Sequence, residues 1–585
     1  MWQFIKYLLA TLTALTIFVF IGILIMVGVF SSTEDNTIIE QNSVLKLKFD
    51  KPITEVTHSN PLENLNLPIG SATESIGLVD IKKAIAAAKS DTKIKGIYLQ
   101  LSAVKAGFAN LQEIRNALVD FKKSGKFIYA YGESFSEGAY YLASVAHKIY
   151  LTPEGLLEFN GIGTQIFYFK NLFEKLEIKP EVFKVGDYKS AVEPFLLDKM
   201  SDYNRNQLDT LLGSVYHTML LDVAKSRQLP MNKLRLISDS MYVHNANDAL
   251  RYQLITNLGY YDQIETELRK KLSIHLVSKK INFVDLENYI KSIPKSSGSE
   301  NQKVAVIVAV GEIHQGKSTL DEIGSADVCA QLQKAKNDPK VKAIVLRINS
   351  PGGSALASDL MWREILITKK VKPVIASMGD MAASGGYYMA MACNKIVAQP
   401  TTITGSIGVF GLIFNIKNTL TNKFGINVDG YHTGKFSDVG SATRDMTDYE
   451  RNIIQKEVEF TYETFLRKAA EGRHVPIAQI RKVAGGRIWT GSQAKAIGLV
   501  DNLGGLQEAI TLAAISAKLG TDYSVTYIPE TKNWLESLFE ENNGDTQSKI
   551  MASELGELYP YFRTLQKINT MKGVQARVPF ELVIE

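Results

Sequence analysis

Ala382-Ala383-Ser384-Gly385-Gly386-Tyr387 sets a serine between two alanines and two glycines, and a counterpart 247 residues earlier lacks the serine. Residues 80–171 overlie residues 327–418 at that constant offset. Asp80, Lys89, Asp91, Lys93 and Lys95 fall on Asp327, Lys336, Asp338, Lys340 and Lys342. Tyr140, Tyr141, Ala143, Lys148, Pro153, Gly161 and Asn171 fall on Tyr387, Tyr388, Ala390, Lys395, Pro400, Gly408 and Asn418. Glu137 then stands where Ser384 does, so two copies of one ancestor differ at a chemically loaded position. Each copy carries a helical stretch, Asp80 to Lys89 or Asp327 to Lys336, whose aspartate is placed to cap the helix start. The strands "IKGIYLQL" and "VKAIVLRI" follow. Strand alternating with helix predicts an α/β fold with largely parallel strands. Val44 to Phe49 alternates apolar residues with lysine and reads as a strand with one face exposed. Val304 to Val310 is continuously apolar and reads as a strand buried on both faces. The duplication continues: "DKMSDYNRNQL" near Met200 resembles "RDMTDYERNII" near Met446, and "LITNLGYY" resembles "LVDNLGGL".

A chain of 585 residues calls for two or more cores. Its formal charge of +5 comes without a dense basic stripe, which argues against a nucleic-acid partner. Cys329 and Cys393 are the only cysteines, so no disulfide framework holds the fold. The eight histidines are scattered singly and no zinc spacing occurs, so neither a metal nor a cofactor is expected. From Leu8 to Phe30 there is no charged residue, a run long enough to span a bilayer as a helix. Lys6 before it and Glu34 and Asp35 after it put the N-terminus in the cytoplasm. The run is longer than the core of a cleaved signal peptide and no clear A-x-A site follows, which favours a retained anchor. The expected organisation is an anchor at 1–35, a first copy at 36–293, a second at 303–529, and a charged, helix-like extension at 530–585. The segment "PKSSGSENQK" links the copies.

Ser384 has the small neighbours Ala383, Gly385 and Gly386 that a nucleophile at a sharp strand-to-helix turn needs. The helix-like "YYMAMA" after it would set exposed amides beside the hydroxyl. Asn349-Ser350-Pro351-Gly352-Gly353-Ser354 follows the strand "AIVLRI", and its glycine pair can turn an N–H toward a developing oxyanion. Gly352, Gly353 and Gly385 are therefore the candidate oxyanion and substrate-binding positions. The first copy has "SAVKAG" there and loses both glycines. No histidine lies between Ser384 and His432, so the activating base is sought among lysines. "VGDYKSAVEPF" carries Lys189. Matching Gly186 to Gly434 puts Ser437 opposite Lys189, whereas matching Met200 to Met446 puts Lys435 there. In the glycine register each copy keeps one member of a Ser/Lys pair.

With "NSPGGS", "AASGGYY", "TGSIGVFG" and "YKSAVEPF", the chain resembles the double-length signal peptide peptidase A family across nearly all of residues 1–530. These are membrane-anchored bacterial serine proteases related in fold to Clp protease and crotonase. The resemblance implies a tandem duplication of a Clp protease/crotonase-like domain behind one transmembrane helix. It implies Ser384 as nucleophile, Lys189 as general base, Ser406 as the hydroxyl that holds the lysine, and Gly353 as an oxyanion donor. It also implies a bowl-shaped homotetramer on the periplasmic side of the inner membrane, acting on remnant signal peptides. Lys435 remains a second candidate base, because half-length relatives take theirs from that region. An extended peptide is expected to add as a strand beside the glycine loop.

A lysine titrates near 10.4 in water, so the base must be biased toward neutrality by about 4 kcal/mol, which burial can supply. Two other function classes compete. A crotonase-like acyl-CoA enzyme would share the oxyanion glycines without a nucleophilic serine, and a membrane scaffold would need neither residue. "GEIHQGKS" from Gly311 to Ser318 fits a phosphate-binding loop pattern. However, the helix should begin at the Lys-Ser pair, and no strand ends in a Walker-B aspartate. Tyr387 and Tyr388 recur in the copy without the serine, which marks them as packing residues.

Overall fold

The computed structural model describes residues 2–31, 38–57, 74–276, 279–294, 298–319, 322–528 and 573–578. The two copies build two sheets of one design. The first sheet runs Asn257–Leu258, Lys148–Leu151, Phe127–Gly132, Ile94–Gln100, Ser43–Lys48, Phe283–Asp285, every pairing parallel. The second repeats that order with Asn502–Leu503, Lys395–Ala398, Val374–Ala383, Val341–Ser350, Lys303–Val310, Ser524–Ile528, again parallel. Parallel strands must be covered on both faces, and helices between them do so. Leu78–Ser90 and Phe108–Lys122 cover the first sheet, and Ser325–Asn337 and Ala355–Thr368 the second. The paired tyrosines make one contact twice: Tyr140 donates to the Leu254 carbonyl at 2.9 Å and Tyr387 to that of Leu499 at 3.0 Å. All four rings are buried, so their recurrence is a packing requirement.

The copies differ where Val374–Ala383 outruns Phe127–Gly132, ten residues against six. The surplus pairs with Ile403–Gly405, which pairs in turn with Ile488–Thr490, antiparallel. That longer strand ends directly before Ser384.

A third sheet draws on both copies, in the order Glu322–Gly324, Glu312–His314, Gly352–Ser354, Gln575–Arg577, Phe410–Asn415, Lys179–Lys184. Lys179–Lys184 of the first copy lies antiparallel along Phe410–Asn415 of the second, from Lys184 opposite Phe410 to Lys179 opposite Asn415. Phe173, Phe195 and Phe414 pack over this seam with rings 5.4–6.1 Å apart. A second junction is ionic. Arg347, fully buried on the strand that leads to the glycine loop, reaches Glu55 at 2.8 Å and Glu113 at 2.7 Å in the first copy. Its remaining donors go to Ser377, the Met378 carbonyl and Asn110. A buried guanidinium satisfied this completely costs the fold little, whereas one stripped of its carboxylates would be very costly.

Three expectations change. Asp80 and Asp327 do not cap their helices; Gly77 and Gly324 hold the cap positions. Each aspartate sits in the first turn, accepting from Thr57 Oγ1 at 2.5 Å and from the Ser318 N–H at 2.7 Å, where the helix dipole favours its charge. The lysine-bearing face of Ser43–Lys48 is covered only at its start, where Val44 is fully buried with Ile264 and Leu268 of the helix Tyr261–Lys271, while Lys46 is half-buried and Lys48 exposed. Of the extension expected to be helix-like, residues 530–572 and 579–585 lie outside the described residues, and Gln575–Arg577 is a strand of the third sheet. At the N-terminus Trp2–Ser31 is one helix of 30 residues, and among the described residues no helix is long and apolar enough to cross a membrane.

Candidate active site

Ser384 lies between the strand Val374–Ala383 and the helix Gly385–Ala390, with φ of 53° and ψ of −110°. For a side chain with a Cβ this left-handed geometry costs about 1–3 kcal/mol. It is held from outside: the Ser384 N–H donates to the Gly405 carbonyl at 2.8 Å, and the Ser384 carbonyl accepts from Tyr388 at 2.8 Å. The flanking glycines are needed for close approach. A Cβ on Gly385 would lie 2.6 Å from Ser358 Oγ, and one on Gly386 would lie 3.0 Å from the Ser350 carbonyl oxygen.

Lys189 enters from the first copy. Beyond Lys179–Lys184 the chain turns at Gly186, φ 92°, where a Cβ would lie 2.5 Å from Gly485. The Tyr188 N–H donates to the Gly485 carbonyl at 3.1 Å. A Cβ on Gly486 would fall 2.6–2.7 Å from Lys189 N, Cα and Cβ, so only glycine admits the lysine there. Ala191, Val192 and Phe195, which follow it in the chain, are buried.

The two meet within one polypeptide. Lys189 Nζ lies 2.9 Å from Ser384 Oγ, 3.1 Å from Ser406 Oγ and 3.4 Å from the Ser406 carbonyl oxygen. Ser406 is anchored in turn by donating to the Gly486 carbonyl at 3.2 Å. Ser384 Oγ also lies 3.3 Å from the Gly408 carbonyl oxygen. All three side chains are fully buried. Burial, with no carboxylate offsetting it, pushes the Lys189 amine well below its ordinary range. The nucleophile candidate therefore faces an amine that favours its neutral form.

The glycine loop borders this pair. Gly352 and Gly353 have φ of 99° and 155°, so the loop is closed to other residues. The Gly352 N–H is spent on Ser350 Oγ at 3.1 Å, so of the two loop glycines Gly353 is the one left as an oxyanion donor. Gly353 lies between Ile313 and the strand Gln575–Arg577.

Lys435 is elsewhere. It sits on an exposed loop with its amine 5.5 Å above the Phe436 ring. Glu137, at the repeat position of Ser384, is buried and starts the helix Glu137–Ala143. Its carboxylate accepts from the Gly161 N–H at 3.0 Å, and burial pushes its pKa up to about 7. The phosphate-loop pattern is closed off by its own chain: Ser318 Oγ accepts from the Gly324 N–H, and the Ser318 N–H goes to Asp327.

The sequence reading assigns no role at the site to Gly408, Gly485 or Gly486. Signal for two of them exists: aligning Met200 with Met446 puts Asp239-Ser240 where Gly485-Gly486 stand. The same asymmetry that exposes Ser384 exposes them.

The chain is similar to known proteins along most of its length. Residues 120–275 and 367–520 each match peptidase family S49, and residues 299–403 match Clp protease. "Protease 4" of Salmonella typhi is 35% identical over 92% of this chain and 88% of its own length. "Serine protease SPPA, chloroplastic" of Arabidopsis thaliana is 34% identical over 92% of this chain and 78% of its own. A solved structure of a ClpP1 point mutant from Listeria monocytogenes aligns with 35% of this chain and 94% of that chain at 19% identity, with a TM-score of 0.25. A family match in each copy, joined to likeness along almost the whole of two proteases, means that this chain belongs to peptidase family S49 and is a serine protease.

Proposed function

We propose that the chain is a Ser/Lys endopeptidase in which Ser384 is the nucleophile and Lys189 the general base. The observation that carries this is the 2.9 Å contact between Lys189 Nζ and Ser384 Oγ inside a fully buried pocket. Ser384 Oγ attacks a peptide carbonyl while the neutral Lys189 takes its proton. Charge developing on the carbonyl oxygen is met by the N–H groups of Gly353 and Gly385. Lys189 then gives the proton to the leaving amine, and later deprotonates the water that hydrolyses the ester. Ser406 keeps the amine on the serine hydroxyl and takes no part in bond making.

In the same reading the enzyme is anchored by the uncharged run Leu8–Phe30, with its N-terminus cytoplasmic and its active site across the inner membrane. The uncharged run lies within the helix Trp2–Ser31. Its substrates are short apolar peptides such as remnant signal peptides, and it works as a homotetramer.

Labelling with a fluorophosphonate followed by peptide mapping tests the assignment. Modification at Ser384 is expected, with loss of peptide cleavage in Ser384→Ala. Lys189→Ala is expected to lower kcat/KM by at least about 10³-fold, and Lys435→Ala to change it by less than about twofold. The reverse ranking of the two lysines would overturn the choice of base.

A further inference from the structure

We infer that the groove selects a small residue followed directly by a basic one, and that residues 573–578 occupy it as a tethered competitor. The inference rests on the peptidase reading above and names its substrate class. Gln575–Arg577 lies antiparallel to Gly352–Ser354, with Gly353 opposite Ala576 and Gly352 opposite Arg577. The Ala355 N–H donates to the Val574 carbonyl at 3.3 Å, and the Val578 N–H donates to the Pro351 carbonyl at 2.9 Å. Antiparallel ladders alternate, so the pair between these two, Gly353 and Ala576, is also hydrogen-bonded. The Gly353 N–H is thereby aimed at the Ala576 carbonyl.

The neighbouring glycines receive the same oxygen. A Cβ on Gly352 would lie 2.0 Å from the Ala576 carbonyl oxygen and 2.8 Å from the Gly385 nitrogen. A Cβ on Gly385 would lie 3.2 Å from that oxygen. The carbonyl of Ala576 thus occupies the place where the oxyanion would form, beside Ser384, and the bond presented is Ala576–Arg577.

Side chains alternate between two environments. Ala576 is fully buried in the second copy's core, and Val578 is buried against Leu211, Ala383, Ile403 and Ile488. The Ala576 position is enclosed and suits a small residue. Arg577 points the other way and reaches Glu312 Oε1 at 2.6 Å, with both side chains mostly buried. A carboxylate enclosed in this way accepts a basic residue after the cut and repels an acidic one.

The test compares two fluorogenic peptides. One carries Gly-Val-Gln-Ala-Arg-Val, the sequence of residues 573–578, and the other has glutamate in place of arginine. Cleavage after alanine is expected, with kcat/KM higher for the arginine peptide by about 30-fold. Glu312→Lys should bring the two within about threefold or invert them, and Glu312→Gln should give an intermediate ratio. A chain lacking only residues 573–585 should show a KM several-fold lower. Equal rates on the two peptides, a ratio untouched by both Glu312 variants, or an unchanged KM on truncation would each overturn the inference. Fluorophosphonate labelling of Ser384 is run on every variant. Labelling with no arginine preference sinks this inference alone, while absent labelling in both the parent and the truncated chain sinks the peptidase reading beneath it.

Discussion

A lysine amine can serve as a base only while it holds no proton, and under the proposed chemistry exclusion of water is what brings Lys189 toward that condition. The side chain is fully buried beside the backbones of Gly408 and Gly486, and its polar neighbours, Ser384 and Ser406, are uncharged. Charging the amine there is opposed by desolvation, which lowers its pKa. The sign for activity follows: protonation at low pH removes the base, so kcat/KM rises with pH through the Lys189 transition and then levels. The acid limb is expected to have its midpoint well below the ordinary lysine value near 10.4. A profile still climbing steeply above pH 10 would contradict a neutral Lys189. At this scale the sequence is informative because duplication supplies an internal control. Ser384 and the Gly352-Gly353 pair are visible as differences between two copies of one pattern. The lysine is harder, since its register depends on which of two anchors is trusted, Gly186 or Met200.

Between elements, Lys189, the proposed base, is positioned by a strand that belongs to one copy and is hydrogen-bonded into the other. Lys179–Lys184 runs along Phe410–Asn415, and the next turn is clamped by Gly485 and Gly486. Gly486 has φ of 86° and no room for a methyl group beside Lys189. Gly486→Ala is therefore expected to displace the lysine backbone by a fraction of an ångström or more. Displacement on the scale of 1 Å costs about 10²-fold in rate, so kcat should fall by that order. Circular dichroism should stay near that of the parent, and an unchanged kcat would show that Gly486 does not set the lysine's place. This exchange of strands cannot be read from the pattern of residues. "KPEVFK" and "FGLIFN" each look like an ordinary strand, and nothing in either names a partner about 230 residues away. The strand order of the two main sheets is more accessible, because apolar runs and a 247-residue offset carry it. The helix caps mislead for a local reason: an aspartate in a first turn and one at a cap position lie within a turn of each other, and both suit the dipole.

For the molecule as a whole, Arg347 ties the copies together at a fully buried point. Its charge is balanced by Glu55 and Glu113, both from the first copy. Replacing it with leucine would leave the buried Glu55 without its ionic partner and Glu113 with Lys82 alone, which is expected to destabilise the protein by about 3–5 kcal/mol. Calorimetry of Arg347→Leu checks this, and a melting temperature within about 1–2 °C of the parent would show that the junction is held mainly by the aromatic seam. No sequence pattern marks Arg347, whose importance arises only when residues 292 positions apart are folded together. Lys189 and Ser384 are likewise 195 residues apart along the chain. A ribosome adding about 5–20 residues per second needs roughly 10–40 s to go from one to the other. During that interval the newborn polypeptide carries an amine with nothing to activate, so under the proposed chemistry no peptide can be cut before the second copy has been made and folded onto the first.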